Sequence, residues 1–226
     1  MKIYTKTGDQ GITSLYKSVN DQIRVPKSDP RIKLVGLIDE FNVSLGSAIV
    51  ECKDFEEKYR QSSFYTYYGS LFGNRKNEYV KIMVICENIQ RDLMFISSKI
   101  SSGIIGFPQE IKNPTTLFED TIDYYTEILP KLTKFKLMGG NKLMIALDNS
   151  RVFTRRVERK IIEYINKYPD ECPKTPSTNT LLIYLNRLSD LFFTLSRIVD
   201  SLQEKERYDW NSHDTSYWSI INSYYP

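Results

Sequence analysis

The chain has 226 residues, 41% of them hydrophobic and 26% charged, which suits one domain with a substantial core. Its net charge of +3 is too close to balance to indicate nucleic-acid binding, and no apolar run approaches the ~18 residues of a membrane span. Three cysteines without zinc or disulfide spacing indicate a reducing compartment. A single histidine, His213, excludes multi-histidine metal sites and makes a Ser-His-Asp triad improbable.

The first feature in chain order is a polar stretch, "TKTGDQGITS", that precedes any sustained hydrophobic pattern. Between Thr5 and Ser14 it combines two glycines, four hydroxyl side chains, Lys6 and Asp9. Such a stretch is either a frayed terminus or a phosphate-binding loop, because glycines let backbone N–H groups turn toward an anion. These residues alone leave both interpretations open.

Five long amphipathic helices are predicted after this stretch from apolar residues at three- and four-residue spacing. They are expected over about residues 30–49, 82–100, 115–129, 142–167 and 178–204. Residues 53–77 are charged and then rich in Tyr and Gly, which indicates an inserted loop, and residues 205–226 form an irregular aromatic tail. Alternating strand patterns are short, so we predict an all-α, up-down five-helix bundle, a single domain over residues 1–226 with residues 1–29 as an N-terminal loop.

The fourth helix, "SRVFTRRVERKIIEYI", separates an apolar face from an arginine-rich one. Its core stripe is Phe153, Val157, Ile161 and Tyr164. Arg151, Arg155, Glu158 and Arg159 follow i, i+4, i+7 and i+8 spacing, so three guanidinium groups share one face with a single glutamate. A bound polyphosphate would relieve their repulsion, because a guanidinium fork donates two parallel hydrogen bonds. From the helix alone, a solvated face with an internal Arg–Glu pair is the favoured interpretation.

Two polar residues on other helices also need a partner or a role. Asp39 lies on the margin of the apolar face of the first helix. It is either a site carboxylate that needs a partner or an ordinary surface or capping carboxylate. Asn186 shares a face of the fifth helix with Asp190 and is a poor helix former. Its amide serves either a ligand or a structural hydrogen bond.

Several motifs, in order, resemble the PduO-type ATP:corrinoid (cob(I)alamin) adenosyltransferases. They are "KIYTKTGDQGITSL", "RVPKSDPRI", "GLIDEFNVSLG", "MGG", "SRVFTRRVERK" and "YLNRLSDLFFTLSR". The resemblance covers nearly the whole chain except about residues 53–77. It implies transfer of the 5′-deoxyadenosyl group of ATP to the cobalt of cob(I)alamin, release of triphosphate, Mg²⁺ held through the ATP phosphates and no metal held by protein ligands. It also implies a homotrimer of five-helix bundles with its sites between subunits.

The same resemblance assigns residues to the site. The opening stretch would wrap the ATP triphosphate with Thr5, Lys6, Thr7, Gly8, Asp9, Gly11, Thr13 and Ser14, and Lys27 would add a positive charge to it. The helices would contribute Arg155, Arg156, Glu158, Arg159 and Asn186 to the ATP site. Asp39 and Arg151 would form a salt bridge between subunits, and Phe135 would pack beneath the corrin ring. Without the resemblance, Phe135 would be assigned to core packing.

Two positions depart from the family pattern on the corrin side. Met138 replaces a frequent proline, and Asp148 replaces a common histidine, so the corrinoid contacts are expected to differ. An alternative function is a non-catalytic module that binds ATP or corrinoid and delivers cofactor to a partner enzyme, and a third is a purely structural bundle. The expected partners of the enzyme are a corrinoid reductase or a cobalamin-dependent acceptor enzyme, in the cytoplasm or, for an animal relative, in the mitochondrial matrix.

Overall fold

Two short strands precede five helices in the computed structural model, which describes residues 2–18, 21–60, 75–111, 114–133, 136, 138–170 and 174–202. The strands are β1 (Ile12–Ser18) and β2 (Asp21–Pro26). The helices are α1 (Pro30–Arg60), α2 (Arg75–Ser101), α3 (Pro114–Ile128), α4 (Lys142–Lys167) and α5 (Pro176–Leu202). The five predicted helices are therefore confirmed.

The N-terminal hairpin corrects the all-α prediction. β1 and β2 pair antiparallel, with Ser14 opposite Arg24 and Leu15 opposite Ile23. An irregularity between Tyr16 and Ser18 breaks the register near the turn. Each strand has only six or seven residues, and a strand this short gives a weak alternating pattern in the sequence.

The first helix is longer than predicted. Its apolar stripe continues past Ile49 through Cys52, which is buried, and Phe55, which packs against the core. Lys53 and Asp54, whose charge suggested a break, lie on the solvent-exposed face of the same helix. Of the stretch predicted as an inserted loop, residues 53–60 and 75–77 are helical, and residues 61–74 lie outside the described part of the chain.

Contacts between α1 and its neighbours fix their relative directions. The Gln90 amide of α2 donates to the carbonyl of Asn42 in α1 at 3.0 Å, and Phe55 stacks on Tyr79 with ring centroids 5.3 Å apart. Residue numbers therefore rise along α1 as they fall along α2, so the two helices are antiparallel. The Ser44 and Ser150 hydroxyls, 3.1 Å apart, join α1 to α4 in the interior.

The remaining helices complete an alternating bundle. The Tyr184 hydroxyl of α5 donates to Asp92 of α2 at 3.0 Å, while Ser177 accepts from Phe107, just beyond α2, so α5 is antiparallel to α2. Phe118 of α3 contacts the Tyr184 ring, and Arg197 donates to the Pro130 carbonyl beyond α3, which makes α3 parallel to α5. With α1 antiparallel to α4, the five directions are up, down, up, down and up.

The predicted apolar stripes form the core. Fully or nearly fully buried positions of α1 and α5 include Leu34, Ile38, Phe41, Leu45, Ile49, Leu185, Leu188, Leu191 and Leu195. Phe41 meets Phe192 edge to face, with ring centroids 6.0 Å apart. Burying each such side chain contributes about 1.5–3 kcal/mol, so this shared core stabilises the bundle. Phe153, predicted as core, is only half-buried and packs against the cluster.

Among the described residues, every helix is too short or too polar to cross a membrane.

Candidate functional site

The opening loop, residues 2–11, is folded into tight turns. The Asp9 amide donates to the Lys6 carbonyl at 3.4 Å, and the Gly11 amide donates to the Gly8 carbonyl at 3.2 Å. Lys6 has φ of 60° and Gly11 has φ of 75°, both in the left-handed region that glycine adopts most easily. The Thr5 and Thr7 hydroxyls are 2.9 Å apart, on the exposed side. The predicted residues Thr13 and Ser14 follow in β1 rather than in the loop.

Lys27, which the resemblance assigns to this loop, lies against two of its glycines. Its backbone amide donates to the Gly11 carbonyl at 2.8 Å. Its ammonium is 3.4 Å from the position that a Cβ atom on Gly8 would occupy. The ammonium group of Lys27 therefore lies close to the loop backbone and places positive charge beside the turns.

Arg24, on β2, also contacts this loop and was not predicted as a site residue. One guanidinium nitrogen donates to the Ser14 hydroxyl at 3.0 Å, and the other donates to the Thr7 carbonyl. Two residues beyond Lys27, Asp29 immediately precedes α1, and its side chain accepts from the Arg31 amide at 2.9 Å. Hydrogen bonding from the Arg31 side chain lowers the pKa of Asp29, which keeps this link between hairpin and helix charged.

The arginine-rich face of α4 is present and faces solvent. Arg155, Arg156 and Arg159 are exposed, and Glu158 is half-buried. Arg156 pairs with a carboxylate of another helix, Glu40 of α1, at 3.3 Å. Both side chains of that pair are more than half exposed, at 56% and 55%.

Residues predicted for the ATP site on different helices lie at one level of the bundle. Counted from Lys167, Arg155 lies about 18 Å along α4; counted from Pro176, Asn186 lies about 15 Å along α5. Both helix ends are at the end of the bundle where α1 begins, and Asp39 lies about 14 Å along α1. Asn186 and Asp39 are both exposed. Polar groups from three helices are therefore available at a common height.

Arg151, predicted to pair with Asp39 of a neighbouring subunit, has a contact within its own helix. Its Nε lies 3.8 Å from Oδ1 of Asp148, which is buried, and its Nη2 lies 3.8 Å from the Met138 sulfur. The two positions that depart from the family pattern thus both contact Arg151. The Asp39–Arg151 bridge between subunits stays a prediction.

The double glycine forms the turn into α4. Gly139 has φ of 134° and Gly140 has φ of 112°, and the Asn141 side chain then accepts from the Met144 amide at 2.9 Å as the N-cap. Phe135, predicted to lie beneath the corrin ring, is outside the described residues, as is the tail from residue 203 onward. Within the described ranges, no three His, Cys, Asp or Glu side chains group closely enough to hold a metal ion.

The opening loop and the arginine-rich face have different neighbours within one chain. β1 packs against α2, whereas α4 packs against α1 and α5. Within the described residues, the strand that continues the opening loop and the helix that carries the arginine-rich face therefore pack against different helices.

Comparisons with known proteins show which family this chain belongs to. A family model described as cobalamin adenosyltransferase matches residues 3–199, which include the opening loop, the arginine-rich face and Asn186. A corrinoid adenosyltransferase of Bacillus subtilis is 31% identical over 209 residues, covering 89% of this chain and 88% of that protein. The chain belongs to the cobalamin adenosyltransferase family.

Other cobalamin adenosyltransferase relatives also match most of the chain. The human corrinoid adenosyltransferase MMAB is 28% identical over 215 residues, covering 95% of this chain and 75% of that protein. A variant of the PduO-type ATP:corrinoid adenosyltransferase from Lactobacillus reuteri, solved with cobalamin and ATP, superposes with a TM-score of 0.68 at 26% identity. That superposition covers 93% of this chain and 100% of the solved chain.

Two candidate functional residues, Arg24 and Glu40, were not predicted from the sequence. Arg24 is the first residue of the "RVPKSDPRI" motif, and its position opposite Ser14 depends on the hairpin, which was not predicted. Glu40 stands inside "GLIDEFN", next to Asp39, but its pairing with Arg156 spans 116 residues of sequence, and no local pattern signals it.

Proposed function

We propose that this chain catalyses transfer of the 5′-deoxyadenosyl group of ATP to the cobalt of cob(I)alamin, giving adenosylcobalamin and triphosphate. Membership of the family carries this proposal, because the family match spans both the opening loop and the arginine-rich face. The solved relative from Lactobacillus reuteri holds both substrates, cobalamin and ATP. The exposed cations described above supply the charge that binding a triphosphate requires.

The reaction is a displacement at C5′ of ATP. The cobalt of cob(I)alamin supplies the electron pair for the new cobalt–carbon bond, and the C5′–oxygen bond breaks with its electron pair leaving on the triphosphate. The nucleophile is therefore part of the substrate, and no serine, cysteine or histidine nucleophile is needed. The protein contributes by positioning the two substrates and by stabilising the negative charge that gathers on the leaving group.

The charged residues divide this work between two surfaces. Lys27 and the turns of the opening loop would hold the triphosphate, because backbone N–H groups and an ammonium both attract phosphate oxygens. Arg155 and Arg159 would contact the same triphosphate from α4, where their planar forks suit phosphate. Asn186 would bind the nucleotide from α5 at the level of Arg155. Phe135 keeps its proposed place beneath the corrin ring.

Mg²⁺ fits this site as an ion that accompanies ATP. The opening loop offers one carboxylate, Asp9, and the described ranges hold no group of three His, Cys, Asp or Glu side chains that could bind a metal ion. Bound through the ATP phosphates, Mg²⁺ would neutralise part of the triphosphate charge. Lys27 and the arginines of α4 remain the groups of this chain that hold the triphosphate.

We propose that the complete site forms between subunits of a trimer. In one chain, β1 packs against α2 while Arg155 and Arg159 of α4 face solvent. A neighbouring subunit could bring its opening loop to these arginines without moving any helix. The same contact would let the exposed Asp39 of one subunit reach Arg151 of another.

The first test is anaerobic incubation with ATP, Mg²⁺ and chemically reduced cob(I)alamin, followed by the absorption spectrum of adenosylcobalamin. Wild type is expected to form product, and Arg155→Ala to reduce kcat about 100-fold or more, as expected when a group that stabilises developing charge is removed. The matched control is Lys160→Ala, a cation of the same helix that pairs with Glu163 at 2.7 Å. ATP binding by wild type without turnover would support the cofactor-delivery alternative instead.

A mixing experiment tests whether sites are shared between subunits. Lys27→Ala and Arg155→Ala damage different halves of the proposed site, and each alone is expected to be nearly inactive. Mixed trimers from co-expression would contain sites in which an intact loop faces an intact α4, so activity should return. Activity that stays at the level of the single variants would show that both halves come from one chain.

A further inference from the structure

We propose that Arg24 is a positioning residue that holds the opening loop in its triphosphate-binding shape, an inference that rests on the proposed function. Arg24 is exposed on β2 and lies opposite Ser14 in the hairpin register. Its two terminal nitrogens donate to different segments, one to the Ser14 hydroxyl at 3.0 Å and one to the Thr7 carbonyl. A single guanidinium therefore joins the loop to the strand that follows it.

The position of this contact decides its effect on the loop. Thr7 is 17 residues from Arg24 and immediately precedes Gly8, where the ammonium of Lys27 approaches the backbone. Lys27 follows β2 directly, and its amide donates to Gly11 at 2.8 Å. The second half of the loop is therefore held at two points, by Arg24 of β2 before Gly8 and by Lys27, just after β2, at Gly11.

Engaging the Thr7 carbonyl also suits anion binding. A carbonyl oxygen turned toward a phosphate repels it, whereas the amides of the loop attract it. Arg24 keeps that oxygen turned toward its own guanidinium and adds positive charge nearby. Arginine fits this role because its planar fork reaches two acceptors at once, which the single ammonium of a lysine does not reproduce.

The test compares Arg24→Lys and Arg24→Gln with wild type. Both variants are expected to raise KM for ATP about tenfold, the loss typical of a hydrogen bond from a charged donor, with kcat at saturating ATP within about twofold. KM for cobalamin should not change. The control is Arg91→Gln, because Arg91 is an exposed arginine on α2 that donates to Asn88 at 2.9 Å, and it should leave KM for ATP unchanged.

A second readout measures the loop itself and needs no activity. Amide hydrogen exchange of peptides covering residues 2–15, read by mass spectrometry without ATP, should be about fivefold faster or more in both Arg24 variants, while α4 peptides exchange at the wild-type rate. Arg24→Lys with wild-type exchange and wild-type KM would overturn the proposal, since charge alone would then suffice. A fall in kcat with unchanged KM would also overturn it, because Arg24 would then act on the reacting groups. If wild type made no adenosylcobalamin, the proposed function would fail, whereas the exchange comparison would still decide how Arg24 acts on the loop.

Discussion

If Arg156 binds ATP as proposed, Glu40 competes with the triphosphate for it, and replacing Glu40 with glutamine should tighten ATP binding. The structure places their charged atoms 3.3 Å apart, with both side chains more than half exposed. If Arg156 binds the triphosphate, it must give up or share this carboxylate. Glu40→Gln removes that competition and makes the surface around the arginine-rich face more positive by one charge.

The exposure of the Glu40–Arg156 pair sets the size of the effect. Exposed ion pairs contribute about 0.2–1 kcal/mol, because solvent screens them and two long side chains must be held in place. That range converts to a fall in KM for ATP of about 1.4- to 5-fold. The difference between wild type and variant should shrink as salt is raised to about 0.5 M, where the Debye length is only a few ångströms.

The assay is KM for ATP at saturating cob(I)alamin, at low and high salt, for wild type and Glu40→Gln. Glu163→Gln is the matched control, because Glu163 also pairs with a cation of α4, Lys160, but does so on the same helix. The control should leave KM for ATP within experimental scatter. A rise in KM for Glu40→Gln, or an equal fall in both variants, would refute the competition between Glu40 and ATP for Arg156.

Three further predictions concern the subunit contact and the bundle. Asp39→Asn should lower kcat about tenfold with the trimer intact by light scattering, because it removes the proposed partner of Arg151; a normal kcat would show that this bridge does not form. Tyr125→Phe should lower the free energy of unfolding by about 1–3 kcal/mol in urea titrations, because the Tyr125 hydroxyl donates to the buried carboxylate of Glu78 and nothing in the variant replaces it, and an unchanged urea midpoint would contradict this. Burial and the Glu78 hydrogen bond raise the pKa of Tyr125, and hydrogen bonding to Glu78 raises the pKa of Lys81. The folding stability that these two protonated groups contribute is therefore fully present below about pH 10 and is lost as pH rises further. Urea titrations of wild type at pH 8 and pH 11 should therefore show a loss of stability that is smaller in Tyr125→Phe.

Helices were predictable because their signal is local and repeated. Leu34, Ile38, Phe41 and Leu45 recur at helical spacing, and all four are buried in the structure. The prediction ended α1 too early because the charged residues Lys53 and Asp54 suggested a loop. They lie on the exposed face of the helix, whose buried face continues through Cys52. Cys52 carried the missing information, since it continues the stripe at a spacing of three from Ile49.

The candidate site was predictable only residue by residue. The resemblance of the motifs assigned Lys27 and Arg155 to the site, and the structure adds the bond from the Lys27 amide to Gly11 and the exposure of Arg155. Contacts such as Arg24 with Thr7, or Arg156 with Glu40, depend on how distant segments pack. No local pattern in a single sequence signals a contact between residues 17 or 116 positions apart, unless the hairpin or the helix pair that brings them together is recognised first.

The odd number of alternating helices has a consequence for engineering. α1 begins at Pro30 at one end of the bundle, and α5 ends at Leu202 at the other, a separation of about 40 Å for a helix of this length. A direct connection between these two helix ends would therefore need about a dozen extended residues, whereas the corresponding ends of a bundle of four such helices could be joined by a short turn. A label attached to an exposed position near the Leu202 end of α5 would stand at the far end of the bundle from Lys27, which allows immobilisation without obstructing the opening loop.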